Sequence, residues 1–495
     1  MKRRTLCASA LAIAASGLVP FRRALSQGSA ATGSVTAIRS DGKQATLTQA
    51  EVQELAGSLH GGLLLPGHAE YDDARRLWNA AFDRHPALIA RCANADDVAR
   101  TVEFARSHTL LTAVRGGGHS ISGQSACEGG LMIDLAPMKG IHVDPRTKTA
   151  RAEPGVLLGD FDRETQAFGL ATTAGTVTHT GIAGLTIGGG MGRLARKFGL
   201  SCDNLLSVDI VTAGGKRLKA SAHENPDLFW GVRGGGGNFG IVTAFEFQLH
   251  ALGPQVLGGV VLFPYAQAHD ILAALVEFTE RAPDEMYMTP LVINMPEGRA
   301  VGFEACYCGD HLDVGERLLA PLKSLGKPIV DQVAAKPYLE MQASSDWMFP
   351  PGRNYYFKSG FVSTVSPAMI DEIVRRFETA PPWLRNIPLI HAGGAMGRVK
   401  RDATAFWNRH AQHDVAVWAG WDDRSESERD VANVRELWRA FEPFTKGYYV
   451  NTDMPDDEQR LRATYGDNYP RLVQLKNKHD PTNLFRLNAN IRPTV

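Results

Sequence analysis

The sequence predicts an α+β protein of two lobes, and three observations carry that expectation. The chain has 495 residues, more than one hydrophobic core serves, since single cores stop growing near ~250–300 residues. Residues 70–250 alternate helix and strand signals, whereas 251–440 group alternating strands with amphipathic helices, as an antiparallel sheet covered by helices does. Many of the 50 glycines sit in three clusters within the first of these regions, which points to backbone-lined loops there.

The elements follow in order. MKRRTLCASALAIAASGLVPFRRALSQ places Lys2, Arg3 and Arg4 before an apolar run, and Ala24-Leu25-Ser26 offers a small-x-small cleavage site. Residues 1–26 therefore read as an export signal. The paired arginines indicate the twin-arginine route to the periplasm or the exterior, which carries proteins already folded. Residues 27–69 are an N-terminal extension. ANADDVARTVEFARSH has an Asn/Asp start and a 3.6-residue apolar period, hence a capped helix. LLTAVRGGGHS is a strand entering a glycine loop, GGLMIDLAPMKGIHVDP a strand and turn, and SVDIVTAGGKRLKAS a hairpin. Beyond 251, VLGGVVLFP, LVINMP, AVGFEACYCG and YYFKSGFV are strands, and AQAHDILAALVEFTER, HLDVGERLLAPLKSLG and SPAMIDEIVRRFETA are helices. The last ~55 residues are polar and helical, judged by the same periodicity.

Composition excludes several functions. Basic and acidic residues balance at 53 each, and loss of the leader's five basic residues leaves the mature chain slightly acidic. No basic field favours nucleic acid, and no apolar run in the body is long enough to span a bilayer. Outside the leader, Cys92, Cys127, Cys202, Cys306 and Cys308 are scattered and odd in number, so they form no disulfide framework. Cys306-x-Cys308 lacks a second ligand pair for zinc; on a strand the two share a face and pack.

The glycine loops reward individual testing. RGGGHSISG (115–123) and GIAGLTIGGGMG (181–192) fail the G-x-G-x-x-G spacing of a dinucleotide fingerprint. RGGGGNFG (233–240) contains it, but IVTAFEFQL follows with strand character, and no helix N-terminus faces a pyrophosphate. Recurrence of such loops beside strands still points to one extended ligand crossed by several backbone segments.

Read together, RGGGHSISG, GGLMIDLAPMKGIHVDP, AGTVTHTGIAGLTIGGGMGRLARKFGLSCDNL and DLFWGVRGGGGNFGIVT resemble the successive signatures of the FAD-linked oxidases. With YYVNTD and YGDNYPRLVQLKNKHDPTNLFRLNANI at the far end, the chain resembles the berberine bridge enzyme-like branch of the vanillyl-alcohol oxidase superfamily. The resemblance implies an FAD-binding domain at 70–250 and a substrate domain of antiparallel sheet under helices at 251–440. A C-terminal segment, 441–495, would return to the FAD domain. It implies that His119 is bonded covalently to FAD. Around the cofactor it places Arg115, Gly116, Gly117, Gly118, Ser120 and Gly123 of the first loop. The second loop supplies Gly175, Thr176, Gly181, Gly184, Gly188 and Gly189, with Asp203 and Asn204 behind it. Gly240, Ile241 and Val242 of the third loop complete the set with Asn451 and Asn488.

The departures from the family pattern matter as much. Val177 stands where many members carry a cysteine bonded to the flavin, so a single histidyl attachment is expected. Thr180 stands where Val or Leu gates oxygen, Met191 replaces a tyrosine, and Ala416 aligns with the plant members' Gln or Glu base. Tyr449 of Y-x-N is retained and is the first choice for substrate deprotonation, aided by Lys358 or Arg409. Tyr356 and Lys358 share one face of a strand resembling one that faces substrate. His179 either binds substrate and moves protons or is a hydrogen-bonding loop residue. The implied reaction is hydride transfer from a small-molecule alcohol to flavin N5, with O2 reduced to H2O2. An amine oxidase resembling 6-hydroxy-D-nicotine oxidase and a dehydrogenase serving an electron carrier are the alternatives.

Overall fold

A computed structural model describes residues 33–453 and 458–495; the expected leader, 1–26, lies outside the described residues. The first lobe is built on two larger sheets, with two two-stranded ones beside them. A four-stranded one runs in the order Leu63–Leu64, Leu88–Arg91, Leu131–Asp134, Thr112–Arg115, its last three strands parallel. Parallel neighbours need a crossover, and helix Ala95–Ser107 supplies it, capped by the Asn94 side chain accepting from Asp96 N and Asp97 N, each at 3.0 Å. Its Val98, Val102 and Ala105 pack on Leu88, Ala90, Leu131 and Ile133. The five-stranded antiparallel sheet has the order Arg217–Ser221, Leu205–Val211, Ile241–Gln248, Thr149–Ala152, Ile141–Asp144. Ile241–Gln248 is a strand, as its β-branched and aromatic residues require.

The described part of the N-terminal extension is integral to this lobe. Hairpin strands Val35–Ile38 and Gln44–Leu47 precede helix Gln49–Ser58, which a Thr48/Glu51 capping box starts. Leu47, Val52 and Leu55 enter the same core as Leu88 and Ile133.

The second lobe is an eight-stranded sheet whose pairings are all antiparallel. Alternation of side chains along its strands sorts them into two faces. Met286 and Met288, Phe303 and Ala305, Ile387 and Leu389, and Val415, Val417 and Ala419 meet helices Ala268–Arg281, Pro367–Glu378 and Ser427–Phe441 in one core. Their neighbours Tyr287, Thr289, Glu304, Asn386, Pro388, Asp414 and Trp418 line a cavity against the first lobe. Cys306 and Cys308 are buried and unbonded, packed with Leu252, Val256 and Tyr338.

The C-terminal segment returns to the first lobe. Tyr465, Tyr469, Leu472 and Leu475, from helices Glu458–Tyr465 and Tyr469–His479, pack against Phe229, Trp230 and Phe239. A buried ion pair ties the end down: Lys476 Nζ donates to Asp480 Oδ2 at 2.7 Å and to the Asn238 and Phe485 carbonyls. Asp480 also accepts from Leu484 N and Phe485 N. Breaking one side of such a pair strands a charge in the interior. Asp480→Ala is therefore expected to lower unfolding free energy by about 3–5 kcal/mol. Urea melts of the purified protein check this, and a change within ~0.5 kcal/mol would contradict it.

Candidate active site

A cavity of about 390 Å³ runs between the lobes, and backbone forms much of one wall. Gly116, Gly117, Gly118, His119 and Ser120 line it, as do Gly175, Thr176, Gly181, Gly184 and Gly188, then Gly240, Ile241 and Val242, and finally Tyr449, Asn451 and Asn488. The first two loops touch backbone to backbone: a Cβ on Gly117 would stand 2.4 Å from Gly181 Cα. A Cβ on Gly188 would strike the Asn451 amide, whose Nδ2 donates to Leu185 O and Tyr449 Oη, each at 2.9 Å. The glycines thus bring the chain segments together as well as clearing space for a ligand.

His119 stands at the tip of the first loop. Its ring stacks on Trp78, centroids 4.1 Å apart, and Trp78 stacks in turn on Tyr355 at 4.1 Å. Nε2 of His119 is buried without a hydrogen-bond partner. Burial, with a smaller contribution from His179, pulls its pKa down to about 3, so the ring is neutral and keeps a lone pair. His179 lies behind it, ring centroids 5.0 Å apart, rather than on the cavity wall, and burial lowers its pKa as well.

Five expected cofactor residues stand one layer back. Arg115 turns to Asp134, Nη1 to Oδ1 3.0 Å. Gly123, at φ +66°, makes the turn that closes the loop, its N donating to Ser120 O. Gly189, at φ +126°, passes Phe406 and Tyr449. Asp203 receives both arms of Arg409 at 2.6 and 2.7 Å and the Leu200 N–H. Asn204 donates to the Phe198 and Leu200 carbonyls. The Asp203 and Asn204 side chains are spent on the turn at residues 198–200 that follows the second loop.

The substrate wall also differs from expectation. Tyr356 belongs to the helix-covered core, and Lys358 Nζ lies 3.1 Å from Asp453 Oδ1. Neither lines the cavity; Phe357, one step out of phase, does. Tyr449 Oη accepts from Gly190 N at 2.9 Å and Met191 N at 3.0 Å besides Asn451. Burial outweighs these donors and lifts the phenol to about 12. With Lys358 on Asp453 and Arg409 on Asp203, neither cation is placed to lower it.

A residue not singled out from the sequence fills the gap. Asp414 lies two residues before Ala416 on strand His413–Trp421, hence on the same face, and lines the cavity beside Trp418. Neither of its carboxyl oxygens has a hydrogen-bond partner of good geometry. Burial raises its pKa to about 8; the Ser359 hydroxyl pulls the other way and the nearby Asp453 carboxylate adds to the rise. Glu304 faces the cavity as well, gripped by the buried Arg193 from behind, Nε to Oε1 2.8 Å. A single carboxylate in a strand stretch otherwise apolar (DVAVWAGW) was the available signal.

The orphaned polar atoms test what fits. His119 Nε2 and Asn488 Oδ1 lie on the glycine side, and Asn386 Oδ1, Asp414 and Trp418 Nε1 on the sheet side. Buried polar groups are ordinarily paired, so these await an elongated polar ligand and a smaller one beside it. No three His, Cys, Asp or Glu side chains converge on a metal site among the described residues.

The comparisons agree with this geometry. Residues 86–221 match the FAD binding domain family, and residues 448–492 the berberine and berberine-like family. An FAD-linked oxidoreductase of Dictyostelium discoideum is 33% identical over 89% of this chain and 97% of its own. The chain belongs to the berberine bridge enzyme-like FAD-linked oxidases. The (R)-6-hydroxynicotine oxidase of Paenarthrobacter nicotinovorans is 31% identical to this oxidoreductase, over 88% and 97% of the two chains. The crystal structure of 6-hydroxy-D-nicotine oxidase from Arthrobacter nicotinovorans superposes on it with a TM-score of 0.81, 29% identity, and coverage of 88% and 98%. The two-lobed α+β fold of this oxidoreductase is that of the vanillyl-alcohol oxidase type.

The glycine contact gives a direct test. Gly117→Ala should force the first two loops apart, lowering bound flavin per polypeptide and costing about 1–3 kcal/mol of stability. The 450 nm to 280 nm absorbance ratio and a thermal melt report both, and a variant with full flavin content would refute the contact's role.

Proposed function

We propose that this oxidoreductase is an exported oxidase that carries FAD on a single bond to His119 and converts a small-molecule alcohol to the carbonyl compound. The observation that carries the reading is Asp414, a buried carboxyl facing the same cavity as the unpartnered His119 Nε2. When bound, FAD would supply the hydride-accepting centre and the route by which electrons reach O2, giving H2O2. Single attachment is supported by Val177, which lines the cavity where no cysteine does.

The chain's own residues divide the remaining work. Neutral His119 presents a nucleophilic nitrogen, held flat by the Trp78 stack. Asp414 takes the hydroxyl proton of the substrate, as a general base within reach of the bound molecule. Tyr449, whose oxygen is filled by three N–H donors, orients the substrate and fixes the glycine loop beneath it. Met348, Phe349, Phe357 and Trp418 form an apolar wall that excludes water. A second reading, oxidation of an amine, draws support from two carboxyls, Glu304 and Asp414, facing the cavity with Asn386 Oδ1.

Two outcomes test the chemistry. Denatured protein should retain flavin fluorescence on a gel, His119→Ala should abolish it, and peptide mapping should find flavin on one segment only. Anaerobic bleaching of the flavin by a panel of alcohols and amines identifies the substrate class; H2O2 release separates an oxidase from a dehydrogenase that uses a carrier. With that substrate, Asp414→Asn should slow flavin reduction by roughly 10²–10⁴. Because a base acts only when deprotonated and Asp414 titrates at about 8, the wild-type rate should climb as pH rises through that value. A flat profile from pH 6 to 9, with Asp414→Asn unimpaired, would sink the assignment.

A further inference from the structure

Asp453, close after Tyr449, is a second buried carboxyl that the proposed reaction does not use. It lies against strand Asn354–Val362, at the edge of the eight-stranded sheet. Ser359 N donates to its Oδ2 at 3.1 Å, and Arg460 Nη2 reaches the same oxygen at 3.0 Å. Lys358 Nζ stands 3.1 Å from Oδ1. Its side chain is fully buried, and it lines the cavity together with Asp414. Ser359 meets both carboxyls: its N donates to Asp453, and its hydroxyl, which bonds the Thr452 hydroxyl at 2.8 Å, is near enough to Asp414 to pull its pKa down.

Two carboxyls confined to one low-dielectric region do not both ionise readily, and the one with cations in contact gives up its proton first. Only Asp453 has such contacts: burial raises its carboxyl above the ordinary range, and Lys358 and Arg460 pull it back down. Other titratable and charged groups around Asp414 do not compete for this role. His391 and His413 stack on each other at 5.5 Å on the opposite face and are kept neutral by burial. Tyr449 is filled with donors, and across the cavity Glu304 is held by Arg193 and Tyr287 accepts from the Thr289 hydroxyl.

We propose that Asp453, paired with Lys358 and Arg460, is a positioning residue that raises the proton affinity of Asp414, so that Asp414 in its ionised form is a stronger base. This rests on Asp414 as the base. The negative charge strengthens Asp414 as a base whenever it is ionised, and Lys358 and Arg460 set how much of that charge Asp414 feels. No bond is made or broken at Asp453; its carboxylate acts through the field alone.

Infrared pH-difference spectra of the flavin-loaded protein, without substrate, read the protonated-carboxyl band directly. Asp162, which burial raises to about 7, titrates in the same range, so the spectrum of Asp414→Asn is subtracted to isolate the band. In Asp453→Asn the Asp414 midpoint should fall by ~1 pH unit or more. In Lys358→Met, which removes a cation and leaves the carboxylate, it should rise. Asp453→Glu should restore the wild-type midpoint. A purely structural Asp453 would not move the midpoint in opposite directions in the two variants. An unmoved midpoint in Asp453→Asn overturns the proposal; if that variant does not fold, an unmoved or lowered midpoint in Lys358→Met does so. Loss of the base reading looks different: flavin reduction then keeps its rate in Asp414→Asn while the infrared midpoints shift as described.

Discussion

Contact between the peptide planes of Gly117 and Gly181 is the constraint from which the rest of this site follows. Two loops from separate stretches of the first lobe come together at backbone distance, and a Cβ on either glycine would meet the other residue within 2.4–2.7 Å. Side chains are thereby excluded from the cavity floor, and the next residues carry what chemistry the loops have. His119 is delivered two residues past the contact, and Val177 and Thr180 shortly before it. Behind the loops, Arg409 on Asp203 and Arg115 on Asp134 do with charge what the glycines do with shape. Buried ion pairs are poor sources of net stability but punish any arrangement that parts them. The floor is held in one conformation by that penalty.

The opposite wall obeys a simpler rule. A strand offers two faces and the helices claim one, so any polar residue out of phase with the buried apolar set must look into the cavity. Glu304 between Phe303 and Ala305, and Asp414 before Val415, are such residues. The lobes contribute unlike materials, main chain on one side and alternating side chains on the other. A binding floor made of main chain tolerates little sequence change, whereas a side-chain wall can be rewritten one position at a time.

Much of this was legible in the residues, though unevenly. The helix at Ala95–Ser107, the strands on either side of it and the hairpin after Leu205 follow from caps, periodicity and glycines. The loops of the cavity floor were readable because Gly117, Gly181 and Gly188 admit no other residue type. The second layer was not: nothing local distinguishes an asparagine or aspartate that touches a ligand from Asp203 or Asn204, whose side chains bond Arg409 and the turn at 198–200 behind the loop. Lys358 and Tyr356 show the same limit. Alternation put them on one face, correctly, but which face met the cavity depended on where the helices lay. Asp414 was hidden because alignment pointed to Ala416, one strand repeat away.

Residues 78–80 join the two halves at a point that local sequence gave no reason to notice. Trp78 N donates to Gly118 O in one lobe, while its indole Nε1 donates to Phe349 O and its carbonyl accepts from Gly352 N in the other. The Asn79 side chain bridges Ile121 O and both backbone groups of Tyr355, and Ala80 N donates to Arg353 O. With the indole sandwiched between His119 and Tyr355, this short run acts as a rivet through both plates. Bonds to both lobes within three residues set the spacing between His119 and the sheet wall at this seam. A ligand in the cavity meets a gap whose width at this point is set by main-chain hydrogen bonds rather than by side chains.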